Sequence, residues 1–247
     1  MTRICMLATL LLLALPLATP AERDMDAILV KIDQLFRSSS SQSTVEMKIV
    51  TPDWERTMRM EVWSQGTEKT LIRITEPRKE RGMGTLRIDR EMWNYLPKVG
   101  KVIKVPPSMM TASWMGSDFT NDDLVSQISF IDDYDHDFVD VEGAEDLVCI
   151  ESIPHEGVPV VWSRLVTAVT PDEYIPVWER SYDERGKLIR TMEFTEPKMF
   201  GNRKMPAVLT IIPENKDGNR TVMTYEEAVF DIELDENVFS MRNLRSP

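Results

Sequence analysis

Two hydrophobic periods organise this chain. From Asp24 to Phe36 the apolar residues Ile28, Leu29, Ile32, Leu35 and Phe36 recur on one side of a helical wheel, which predicts an amphipathic helix. Ser38 to Ser43 reads as a polar stop. Beyond it the period becomes two. Val45, Met47 and Ile49 alternate with Thr44, Glu46 and Lys48, and Met58, Met60 and Val62 alternate with Thr57, Arg59 and Glu61. Lys69 to Thr75, Gly84 to Asp89, Glu91 to Leu96 and Lys101 to Val105 are further short strands, separated by turn-forming Gly, Pro or charged residues. A second series follows at Asp146 to Ile153, Val158 to Ala168, Tyr174 to Tyr182, Leu188 to Phe194, Ala207 to Pro213 and Thr221 to Glu226. Tight connections between the successive strands of the first series imply an antiparallel meander.

The two series flank a segment without clear period. Pro106 to Phe119 carries two prolines at its start, three methionines and Trp114. Thr120 then stands as an N-cap with Asp123 three residues later, the spacing of a capping box. The prediction is an α+β fold, mainly β: about 11 antiparallel strands in a sheet long enough to curl, covered by the N-terminal helix and a central helical lid. Pro106 to Gln127 is expected to be a mobile lid, with Gly116 as its joint.

The N-terminus sets the expected compartment. Arg3 precedes an apolar stretch from Ile4 to Leu17, and small residues follow in Ala18-Thr19-Pro20-Ala21. That is the layout of a secretory signal peptide, residues 1–21, ahead of one domain over 22–247. The mature part keeps a single cysteine, Cys149, so it has no internal disulfide, and export without disulfides favours a bacterial periplasm. The net charge is -12, unevenly spread: Val105 to Ser163 has 13 acids and no Lys or Arg, whereas Trp54 to Lys104 has 12 basic residues against 7 acids. The basic residues are interleaved with acids and apolar residues, which argues against a nucleic-acid surface.

Catalytic signatures do not emerge. His136 and His155 form no metal-binding pair, and Cys149 lies inside an apolar strand. Asp133, Asp135 and Asp137 have the opening spacing of a calcium loop, but Phe138 stands where glycine is required and Ala144 where glutamate is required, so a solvated acidic loop is the better account. No enzyme activity, metal or cofactor is expected.

Methionine changes the picture more. Of 16 in the chain, Met58, Met60, Met83, Met92, Met109, Met110 and Met115 fall in the first strand series and the central segment. Flexible, polarisable side chains suit a surface that accepts varied apolar shapes; any one methionine is ordinarily a core filler, and the cluster Met109 to Met115 carries the signal. Period two places Met58, Met60, Val62, Ile72, Ile74, Leu86 and Ile88 on the concave side of the first sheet region. Trp93 and Tyr95 share a face, as core or as cavity rim. Met109, Met110, Trp114, Met115 and Phe119 are expected to face the cavity from the lid, with Asp118, Asp122 and Asp123 facing water or latching to an arginine on the sheet.

Three segments resemble a known family: Ile72-Arg73-Ile74-Thr75-Glu76-Pro77 with Arg81-Gly82-Met83-Gly84, Met92-Trp93-Asn94-Tyr95-Leu96-Pro97, and Ser113-Trp114-Met115-Gly116-Ser117-Asp118-Phe119-Thr120-Asn121-Asp122-Asp123-Leu124. Together they are similar to the LolA-like outer-membrane lipoprotein-sorting proteins. The resemblance implies a half-open antiparallel barrel with a helical lid over an apolar cavity for acyl chains. It also implies a lipid or lipoprotein cargo, an inner-membrane transporter as donor and an outer-membrane acceptor. A basic residue on the sheet would latch the lid; Arg59, Arg73 and Arg87 are the candidates. The expected function is a periplasmic carrier or chaperone. The alternatives are a non-enzymatic accessory protein of a resistance-nodulation-division export system and, more weakly, a hydrolase with an unfamiliar site.

Overall fold

The computed structural model describes residues 23–125, 129–158 and 160–246. The signal peptide expected at residues 1–21 lies outside them. The N-terminal helix α1, Met25–Phe36, starts where Asp24 accepts a hydrogen bond from the Ala27 amide, and it buries Ile28, Leu29, Ile32 and Leu35 as its spacing requires.

Among the described residues, thirteen antiparallel strands then form one open sheet. The first series is β1 Ser40–Val50, β2 Glu55–Gln65, β3 Lys69–Glu76, β4 Gly84–Ile88, β5 Glu91–Leu96 and β6 Lys101–Lys104. The second is β7 Tyr134–Phe138, β8 Val148–Pro154, β9 Arg164–Val169, β10 Pro176–Tyr182, β11 Leu188–Phe200, β12 Arg203–Pro213 and β13 Arg220–Phe230. Each series is a meander. β1 and β13 pair in the middle, so β6 and β7 are the two edges. The segment between β6 and β7 therefore carries the chain from one edge to the other. It contains a short helix α2, Asn121–Val125, and its residues 126–128 lie outside the described set.

Several expectations change. The sheet has 13 strands rather than about 11, and it is open. β7 occupies the stretch expected to be an acidic loop: Asp135 and Asp137 point outward from an edge strand whose alternate residues are Tyr134 and His136. Charged residues on an edge discourage unwanted strand pairing, so acidity and strand structure coexist there. The polar stop at Ser38 to Ser43 is mostly strand, because Ser40 and Ser43 are buried and Ser41 bonds Ser64 across the β1–β2 pair. Among its described residues the central cover is largely a loop, with five residues of α-helix and a single 3-10 turn, Pro107–Met109.

Register assigns the faces. On the inner face, Met47 stands opposite Met58 and Met223, Val45 opposite Met60 and Tyr225, Met60 opposite Ile74, and Val62 opposite Ile72. The row continues through Leu209, Phe194, Met192, Glu179, Thr167 and Ile150 to β7. Two elements cover this face. α1 sits on β8 and β9 through Ile28, Leu29 and Ile32, and on β12 and β13 through Leu35. The central segment sits on β1 to β3.

The outer face is also covered in two places. The C-terminal turn Glu236–Phe239 and the helix α3, Met241–Leu244, place Phe239 and Leu244 on Leu71 and Leu86. Gly84 permits this approach: a Cβ there would stand 2.9 Å from the Leu244 side chain. At the other end Val139, Val141, Ala144 and Leu147 cover Cys149, Val166 and Ala168.

Candidate ligand cavity

The central segment is held to the sheet at several points. Trp114 is 3% exposed, and its indole Nε1 donates to Thr85 Oγ1 at 3.1 Å. Trp114 N–H donates to the Phe119 carbonyl at 2.8 Å, and Asn121 Nδ2 donates to the Met109 carbonyl at 2.9 Å, so the loop also bonds itself. The capping box forms as its spacing predicts: Asp123 Oδ2 accepts from the Thr120 amide and hydroxyl, and Thr120 Oγ1 accepts from the Asp123 amide. Beneath, Met47, Met58 and Met60 are at most 1% exposed. Over β1 to β3 the inner face is thus packed core, with a gap of only about 60 Å³ between Trp114, Met115, Ile72, Ile74 and Thr85.

The arginines expected to latch this segment do other work. Arg59 points to the outer face and pairs with Glu226. Arg73, also outer, donates to the Asn243 carbonyl at 2.7 Å and lies against Trp63. Arg87 is buried on the inner side and donates to the Thr67 carbonyl and Thr70 Oγ1, tying β4 to the β2–β3 turn and the start of β3. The latches are Arg56, which donates to the Met115 carbonyl, and Arg190, which donates to Asp123 Oδ1 at 3.1 Å and Oδ2 at 3.3 Å. Asp118 bonds the buried Thr221, accepting from its hydroxyl at 2.8 Å, with Lys216 at 3.8 Å.

Other expected cavity residues divide. Val62, Ile72, Ile74, Trp114, Met115 and Phe119 join Met58 and Met60 in the inner core. Leu86 and Ile88 face outward with Trp93 and Tyr95, under the C-terminal cover. β4 alternates as its sequence predicts, but in the opposite sense: Thr85, bonded to Asn94 and Trp114, takes the inner side. Met109 is 50% exposed and does not face the sheet, and Met110 is half-buried.

The open space lies elsewhere, under α1. A cavity of about 320 Å³ is lined by Ile32, Asp33, Arg37, Phe130, Thr167, Pro176, Glu179, Met192, Phe194, Leu209 and Tyr225. Its volume is at the lower end of the usual range for small-molecule sites, about 300–1,000 Å³. At its rim Arg37 pairs with Asp33 at 2.9 Å. Phe130 is fixed by His136, whose Nε2 donates to the Phe130 carbonyl at 2.8 Å while Nδ1 accepts from Ser152 Oγ at 2.9 Å. Burial pushes the His136 pKa down, which favours this neutral form. On the floor, burial raises the Glu179 pKa against the opposing pull of Arg190. Arg190 itself lies 5.1 Å from the Trp162 ring, and Trp162 Nε1 donates to the Tyr134 hydroxyl at 3.1 Å. A larger depression of about 590 Å³ beyond the end of α1 is lined by charged groups, including the Arg203–Asp231 and Lys204–Glu173 pairs, and offers little apolar surface.

Glu179, Arg190 and most of the cavity wall were not singled out from sequence. The available signal was the period-two row Val177, Glu179, Ser181, which places a carboxylate among inward positions. Trp178, Arg180 and Tyr182 form an equally regular row, and nothing local chooses between them.

Solved structures define the class of fold. A DUF1329 family protein from Desulfovibrio piger is 23% identical with a TM-score of 0.77, covering 89% of this chain and 97% of that one. A domain described as a candidate outer membrane lipoprotein-sorting protein from Vibrio parahaemolyticus is 21% identical with a TM-score of 0.74, covering 90% and 98%. A LolA superfamily protein from Nitrosomonas europaea is 23% identical with a TM-score of 0.71, covering 88% and 97%. The fold is LolA-like, as the three sequence segments indicated. Residues 66–246 match the model of a family described as uncharacterized-protein-like, and the chain belongs to that family. Among curated proteins none matches.

Proposed function

We propose that this protein is a periplasmic carrier that holds a lipid or a lipid-modified cargo in the cavity under α1 and hands it on toward the outer membrane. The observation that carries this reading is the cavity itself. Its wall is hydrocarbon and aromatic over most of its surface, and a helix, rather than a sealed layer, forms its roof. Each acyl methylene placed there gains about 0.8 kcal/mol, so a chain of modest length binds firmly without covalent chemistry. The LolA-like fold supports the same reading. Within it, α1 and the loop at Phe130 form the mouth, and the Met58, Met60, Ile72 and Ile74 layer under the central segment is a rigid wall that enlarges the site only if that segment lifts. The cargo donor would be an inner-membrane transporter and the acceptor an outer-membrane component. The protein acts by binding, without cofactor.

The test uses delipidated mature protein and the apolar fluorophore N-phenyl-1-naphthylamine. Saturable uptake is expected, together with lipid in organic extracts of gently purified protein analysed by mass spectrometry. Absence of both uptake and extractable lipid would overturn the carrier reading.

A further inference from the structure

The cavity wall is not uniformly apolar. Phe130, Met192, Phe194 and Leu209 present carbon, and Asp33 and Arg37 at the rim are paired with each other. On the sheet, Glu179 brings a carboxyl group into this surface. Its Oε2 accepts from Thr167 Oγ1 at 3.4 Å, a long contact, and Oε1 accepts no hydrogen bond among the described residues. The nearby cation that would satisfy it, Arg190, is turned to Asp123 at 3.1 Å and shielded by Trp162. Glu179 is half-buried, so water reaches Oε1 while the cavity is empty; a ligand that shuts water out without bringing an O–H or N–H leaves the carboxyl group unpaired at a cost, and one that brings a donor avoids that cost.

We propose that Glu179 is the head-group receptor of the cavity, which takes one apolar body ending in a hydrogen-bond donor, an alcohol or an amine, in preference to a carboxylate or an end without a donor. This rests on the cavity being the ligand site. A space of about 320 Å³ suits a single chain or one ring system better than the several chains of a lipoprotein anchor. A site built around a polar group rejects analogues that leave the group unpaired more sharply than a greasy pocket rejects a missing methylene. A carboxylate head would also meet Glu179 as a like charge or force it to keep its proton.

Displacement of N-phenyl-1-naphthylamine by dodecanol, dodecylamine, methyl dodecyl ether and laurate tests this. Dodecanol or dodecylamine should displace the probe at concentrations about tenfold or more below those of the ether and laurate; which of the two leads tells a neutral from a cationic head. Glu179→Leu should bind the probe and rank dodecanol with the ether. Glu179→Gln, which keeps an acceptor oxygen in the same shape, should retain the preference for dodecanol and lose any preference for dodecylamine; it decides the matter if the leucine variant is unstable. Equal ranking of both the alcohol and the amine with the ether or with laurate in the unmodified protein, while the probe still binds, overturns the role of Glu179 and leaves the carrier reading standing. Failure of the unmodified protein to bind the probe or any of the four ligands overturns both.

Discussion

The inner face of the sheet behaves differently on its two halves. Over β1 to β3 it is filled: Met47, Met58 and Met60 lie sealed under Trp114 and Phe119. Over β9 to β13 it keeps a cavity, and Glu179 and Thr167 face that space. Both halves obey the same alternation. What differs is the cover. The central loop follows the sheet closely and is bonded to it by Arg56, Thr85, Arg190 and Thr221, whereas α1 is a cylinder roughly 10 Å across that touches the sheet along one stripe and leaves space beside it. An apolar wall is therefore not evidence of a cavity; the shape of what lies over it decides.

The largest effect expected from breaking this contrast is at Trp114. Trp114→Ala removes a buried indole and its bond to Thr85, and should cost about 3–5 kcal/mol in urea denaturation. Probe binding under α1 should stay within about twofold, because the cavity is lined by other residues. A loss below about 1 kcal/mol would mean that the segment is a loose lid and not a packed plug. Leu209→Trp reverses the test. It fills the cavity, should lower probe affinity by tenfold or more, and should cost about 1–3 kcal/mol or less of stability, since the added atoms enter open space.

Asp123→Asn weakens the latch between α2 and β11. Both partners are about one-sixth exposed, each 16%, so a loss of about 1–2 kcal/mol is expected, with faster proteolysis within residues 109–121. Unchanged proteolysis would assign the hold to Arg56, Trp114 and Asp118. The smallest effect concerns pH. Glu179 has a folded pKa raised by burial above the ordinary 4.5, so between those two values the folded protein holds a proton that the unfolded chain has lost. Stability from this group is present below pH 4.5 and is lost as pH rises through the folded value. Glu179→Gln should thus melt higher than the parent at neutral pH, and the advantage should vanish below about pH 4. His136, whose pKa burial lowers, has the opposite trend, losing stability toward acid, so the difference between variant and parent is the quantity to measure.

Much of the architecture was legible beforehand. The helix at Met25–Phe36, the capping box at Thr120 and Asp123, and every strand except β7 follow from local spacing. β7 was hidden because Asp133, Asp135 and Asp137 outweigh three aromatic-ring residues at alternate positions in a five-residue strand. The direction of β4 was hidden because Thr85-Leu86-Arg87-Ile88 alternates cleanly whichever face is inside. Methionine marks adaptable apolar surface without saying whether ligand or chain occupies it, so it points to β1 to β3, where the chain itself fills the inner face.

The sequence by itself determined the periods, hence the helix, the strands and a first meander ahead of an irregular middle, and it carried enough family-specific wording to mark a LolA-like fold. Those properties are local: they depend on backbone geometry and on neighbours within a few residues. Tertiary structure alone decided which face of β4 looks inward, that Arg56 and Arg190 rather than Arg59, Arg73 or Arg87 hold the central segment, and that the open space lies under α1 with Glu179 at its wall. Each of these depends on what is laid over the sheet. Both faces of β4 are covered, so alternation cannot choose between them. The volume left beneath a cover is set by the fit of two surfaces, distant in sequence, that meet only when the chain is folded.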